Sequence, residues 1–87
     1  MVSKSKIVRA IRELLRERAA GATICPSEVA RSLDAGGWRQ HLSDVRSVAV
    51  DLAEAGEVVI LQRGREVDGR LARGPIRIGH GDSKRSA

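Results

Sequence analysis

Eighty-seven residues, 41% of them hydrophobic and 31% charged, have the composition of one ordinary globular domain. A chain this short buries only about 60–65% of its unfolded surface. With one Trp, no Phe and no Tyr, its single core must be built from Val, Ile, Leu and Ala. The longest apolar runs are far too short for a membrane span, and Met1 to Lys6 shows no apolar segment of a signal peptide. A lone cysteine, Cys25, excludes an internal disulfide framework and fits a reducing compartment. The expectation is a cytoplasmic protein with no membrane association.

The net charge of +5 is unevenly spread. Residues 1–20 carry six basic side chains against two acidic ones, and residues 62–79 carry five against two. The middle, 21–61, carries three basic against six acidic. Basic character therefore lies at the two flanks, and any anionic partner is expected to meet the chain there.

Ile7, Ile11, Leu14 and Leu15 recur at helical spacing, with Arg9, Arg12, Glu13 and Arg16 opposite, which predicts an amphipathic helix over Lys4 to Ala20 ended by Gly21. Thr23-Ile24 is short and β-branched and predicts a small strand. Cys25-Pro26-Ser27-Glu28 opens a second helix: Pro suits the first helical position, and Glu28 can reach back to the N–H of the capping Cys25. Val29, Ala30 and Leu33 are its buried stripe, and Ala35-Gly36-Gly37 is a turn. Trp38 to Ala55 reads as a third helix with Val45, Val48, Ala49 and Leu52 inward, ended by Gly56. Glu57 to Arg63 predicts a strand, Gly64 to Gly74 a polar loop, and Pro75 to Gly79 the returning strand, with Ile76 and Ile78 inward and Arg77 outward. Residues 80–87 read as a disordered tail. Leu14, Val29, Leu33, Val48, Leu52 and Ile60 are expected to share one core.

No catalytic constellation is legible, and the chain is not expected to be an enzyme. His41 and His80 have no partners at metal-ligand spacing, and the glycines form no phosphate-binding loop. No cofactor or metal is expected. Cys25 is expected to fill a helix cap rather than to act as a redox thiol, and Trp38 to anchor the turn before the third helix against the core rather than to stack on a base.

Helix, turn, helix and hairpin in this order predict a mixed α/β, mainly helical winged helix-turn-helix over residues 4–79: three helices and a C-terminal β-hairpin wing. On a helical wheel Arg39, Gln40, Ser43, Arg46, Ser47 and Val50 lie opposite the buried stripe of the third helix. Arg, Gln and Ser suit base edges in the major groove, but Asp44, Asp51 and Glu54 remove any net positive field there. The better electrostatic candidates are Arg63, Arg65, Arg70, Arg73 and Arg77 on or beside the wing, with Arg12 and Arg16 of the first helix. An edge hairpin kept from aggregating by its charges is the plain alternative.

Cys25-Pro26-Ser27-Glu28-Val29-Ala30-Arg31, Trp38-Arg39, Val45-Arg46, Ala49 with Leu52, Ala55-Gly56, Gln62 with Gly64, Val67-Asp68 and Gly74-Pro75-Ile76-Arg77 together resemble a family of small bacterial proteins of unknown function with a winged-helix-like fold. The resemblance spans residues 7–78 and implies that fold; it implies no activity. Gly69 stands where the family tends to have Pro, so a looser wing tip is expected. The reading that follows is a nucleic-acid-binding domain, with double-stranded DNA as partner, phosphate contacts from the wing and the first helix, and modest help from the third. The alternative is a module that docks a protein partner.

Overall fold

The computed structural model describes residues 2–81. Three helices, α1 (Lys4–Glu17), α2 (Pro26–Leu33) and α3 (Leu42–Glu54), pack on an antiparallel sheet of β1 (Thr23–Ile24), β2 (Val58–Gln62), β3 (Arg65–Glu66) and β4 (Arg77–His80). The strand order is β1-β4-β2-β3, so the last strand enters between the first and the second. This mixed, mainly helical arrangement is consistent with a winged-helix-like one. None of the helices is long and apolar enough to cross a membrane.

Ser3 caps α1 by accepting the N–H of Lys6 at 3.3 Å. The helix stops at Glu17, short of the expected Ala20: Arg18 turns to extended backbone, and its guanidinium pairs with Glu28 of α2. Gly21, at φ 88°, then turns the chain into β1. Cys25 caps α2, Pro26 takes the first helical position, and the Glu28 carboxylate accepts the Cys25 N–H at 2.9 Å, as the sequence predicts. The Cys25 thiol is half-buried and lies 3.0 Å from the Ser27 hydroxyl. Cys25→Ser should therefore keep stability or raise it slightly, since a hydroxyl is the better cap acceptor; a melting curve that falls by more than a few degrees would contradict this.

The predicted third helix divides in two. Trp38–His41 form a 3-10 turn, and the α-helix proper begins at Leu42. Gly56, at φ 84°, ends it.

One line of isoleucines joins the sheet to the helices. Ile24 and Ile60 both stand opposite Ile78 of β4, and all three are at most 1% exposed. Ile7, Ile11 and Leu15 of α1, Val29 and Ala30 of α2, and Val45, Val48, Ala49 and Leu52 of α3 close over them. Of the expected core, Val29, Val48, Leu52 and Ile60 are buried, whereas Leu14 and Leu33 are half-buried against its edge.

Two differences concern the chain after β2. The expected loop from Gly64 begins with a strand: Arg63 (φ 53°) and Gly64 (φ 80°) make a two-residue turn, and β3 pairs Arg65 with Gln62. Positive φ at both central positions is what matches the twist of a tight hairpin, and it is usually signalled by Asn-Gly or Asp-Gly; Arg-Gly gives no such signal. The expected disordered tail is the other difference. His80 stands opposite Val58, and Gly81 is buried, donating its N–H to the Glu57 carbonyl at 3.1 Å. A Cβ on Gly81 would come within 2.6 Å of backbone atoms of Gly56 and Glu57, so a glycine that reads as flexible is there because the chain passes so close. The rest of that predicted tail, residues 82–87, lies outside the described residues.

Candidate nucleic-acid interface

Only the first half of the face assigned to α3 is open. Arg39, Gln40, Ser43 and Ser47 are exposed. Arg46 is half-buried: its guanidinium donates to the Gly74 carbonyl at 2.8 Å and lies near that of Ala72. Val50, placed on the outer face by the helical wheel, is only 9% exposed. The loop of residues 68–74 covers it, and a Cβ on Gly69 would sit 2.7 Å from the Val50 side chain. Gly69 therefore marks where the loop closes on α3, not a loose tip. Asp68 braces the same loop, its carboxylate accepting the Arg70 N–H at 2.9 Å and its carbonyl the N–H groups of Leu71 and Ala72 at 3.0 Å. Arg46 acts here as a strut between helix and loop and is not free to read a base.

The acidic side chains of the middle segment hold cations from the flanks. Glu54 binds the Arg70 guanidinium through both oxygens, and Asp51 lies 3.6 Å from Arg70 and 3.2 Å from Lys4. Glu57 is bound by Arg12 in the same two-pronged way, one contact being 2.9 Å. Part of the charge split in the sequence is thus a set of intramolecular pairs, which take up Lys4, Arg12, Arg18 and Arg70. Arg12 and Arg70 are exposed, but their charge is compensated. Of the two candidates on α1, Arg16 alone is exposed and unpaired among the described residues.

These pairings hold four carboxyls below their ordinary range. Glu28 is lowered by the Cys25 N–H and then by Arg18, and Asp34 by His41 and the Gly37 N–H. Glu54 is lowered by Arg70, and Glu57 by Arg12. A carboxyl with a depressed folded-state pKa binds fewer protons folded than unfolded, so its contribution is complete above the ordinary carboxylate range and lost as pH falls through the folded value. Denaturant midpoints should be level from about pH 7 to 5 and drop progressively below about pH 4.5. A midpoint that rises on acidification would contradict these pairings.

Arg63, Arg65 and Arg73 are different. All three are exposed, and none is held by a carboxylate among the described residues. With Arg77 they surround an open groove of about 770 Å³ floored by Leu61, Val67, Pro75 and Ile76. Arg77 is fixed by Thr23, whose hydroxyl and carbonyl accept from it at 2.8 and 3.0 Å, but neither contact neutralises its charge. Gln62 donates to the carbonyls of Arg73 and Pro75 at 2.6 and 3.1 Å and so sets the loop end that carries Arg73. In the loop that Asp68 braces, Leu71 stands 77% exposed.

At the other end of α3, Trp38 is half-buried against the core, as expected of an anchor. It also carries two guanidiniums: Arg31, from the last turn of α2, lies 4.4 Å from the ring centroid, and Arg39 lies 4.5 Å away. Both guanidinium carbons therefore lie within van der Waals reach of the indole. Each such contact is worth about 0.5–1 kcal/mol at an exposed site. Arg31 and Trp38 were not among the sequence-predicted site residues, because the contact crosses the turn between two helices and follows no helical spacing. That turn is fixed by His41, whose Nε2 lies 3.0 Å from Asp34, while the other Asp34 oxygen accepts the Gly37 N–H at 3.0 Å. Among the described residues no group of three or more His, Cys, Asp or Glu side chains could hold a metal ion.

The family described as "Protein of unknown function (DUF3253)" matches residues 4–81. No curated protein matches the chain.

Proposed function

The chain belongs to that family of unknown function, and we propose from its own surface that it is a winged-helix protein that binds double-stranded DNA. The observation that carries this reading is the set of uncompensated arginines, Arg63, Arg65, Arg73 and Arg77, around an open groove formed by β2, β3, β4 and the segment leading into β4. Side chains of one sign around a concave surface concentrate counter-ions, and a phosphodiester backbone supplies the matching charge along a line. The β2–β3 hairpin is the wing in this reading. Arg39, Gln40, Ser43 and Ser47 form the surface offered to the major groove. Helix α1 contributes less than its sequence suggests, because Glu57 and Asp51 already take Arg12 and Lys4.

The test is fluorescence anisotropy of a labelled random-sequence duplex against salt. Log affinity should fall linearly with log salt at about −0.9 per phosphate contact, so the three or four arginines of the groove by themselves contribute about −2.7 to −3.6 to the slope. Absence of binding at low salt would remove this reading. The second reading, a module that docks a protein, is favoured by Leu71, a large apolar side chain left open on a rigid loop.

A further inference from the structure

We infer that Arg31, Trp38 and Arg39 form a second, preassembled phosphate clamp at the corner between α2 and α3, so that duplex DNA is gripped at both ends of the open face of α3. This rests on the DNA-binding reading and adds to it a site of contact that the wing does not supply. Each guanidinium carbon lies within 4.5 Å of the Trp38 ring centroid, a contact with the π system that does not neutralise its charge. Both arginines are exposed, and neither is paired with a carboxylate among the described residues. Two like charges are thus held at one corner of the fold by a ring that is itself seated on the core. Exposed guanidiniums with no carboxylate partner are suited to two-pronged contact with phosphate oxygens.

The placement gives the clamp its role. The stack lies at the N-terminal end of α3, and the loop bearing Arg73 is tied to the helix at Arg46. Arg46 is seven positions after Arg39, across the end of the 3-10 turn and the first turn of α3, on the order of 10 Å along the axis. Ser43 and Ser47, the exposed small polar residues, lie on the stretch between and beside these two positions. A strand of DNA held by the wing at one end and by the stack at the other would be pressed onto those serines and Gln40.

Trp38 is the chain's single tryptophan, so its emission reports on the clamp alone. The experiment titrates the full chain with a labelled random-sequence duplex, reading anisotropy and Trp38 emission together at several salt concentrations. The parent should bind with a change in Trp38 emission. Arg31→Gln/Arg39→Gln should weaken binding and flatten the salt slope by about 1.8, two contacts at about 0.9 each. Trp38→Leu keeps both charges and an apolar anchor but removes the π face, and should weaken binding several-fold, whereas Trp38→Phe should restore most of it. Circular dichroism checks that each variant is folded. Unchanged affinity and slope in the double glutamine variant, with normal binding by the parent, would overturn the clamp and leave the DNA-binding reading standing. Absence of binding by the parent would overturn both.

Discussion

Ile60→Ala should destabilise the fold by about 2–5 kcal/mol, the range for truncating a fully buried aliphatic side chain and leaving a cavity. Ile60 is 1% exposed and stands next to Ile78, itself 0% exposed and flanked on its other side by Ile24. Helices α1 and α3 close over the same side chains, so no neighbour can move into the space without losing its own contacts. An 87-residue domain has roughly 4–13 kcal/mol in total, so this one change consumes much of it. Urea denaturation should show the loss as a lower midpoint at an unchanged slope. Leu33→Ala, on a half-buried side chain at the core edge, should shift the midpoint far less. Equal shifts in the two variants would mean that the isoleucine line is not the centre of the core.

Removing Arg63, Arg65 and Arg73 together should abolish most binding to duplex DNA. If each makes one phosphate contact, the salt slope flattens by about 2.7, which at ~50 mM salt corresponds to a loss on the order of a thousandfold. The informative control is the pair Arg70→Ala/Glu54→Ala. It deletes one cation and one anion that already hold each other, and should leave the slope unchanged. Arg46→Ala should act differently again. It releases the strut to Gly74 and should lower stability along with affinity. A control pair that flattens the slope as much as the wing variant would show that overall charge, not the groove, governs binding.

The parts of the fold that were legible in the sequence are those set by local rules. Pro26 and Glu28 announced the start of α2, Gly56 the end of α3, and the spacing of Val45, Val48, Ala49 and Leu52 its inner face, because capping and periodicity act within a few residues. The return of the chain along β2 followed from inward Ile76 and Ile78, both of which are buried, although the strand itself runs Arg77–His80 and not from Pro75. What sequence reasoning missed depends on contacts between distant segments. Val50 and Arg46 have the spacing of an open helical face, and only the loop that folds over them makes one buried and the other a strut. Arg12 and Arg70 count as free charge in the sequence; Glu57 and Glu54, which hold them, lie far along the chain in one case and across the loop in the other. Gly81 looked flexible by composition, yet it sits where no Cβ fits. The candidate site shifts accordingly: Arg63, Arg65, Arg73, Arg39, Gln40 and Ser43 stay on the open surface, Arg12, Arg46 and Arg70 are engaged within the fold, and Arg31 and Trp38 join.

The most direct test of where DNA lies is the amide spectrum of the isotope-labelled chain titrated with a short duplex. Shifts should cluster at residues 38–47, at 61–65 and at 73–77 and grow as salt is lowered, with the outer face of α1 from Arg9 to Arg16 nearly unchanged. Shifts confined to α1, or spread evenly over every exposed basic residue, would contradict a binding surface built from the wing groove and the open half of α3.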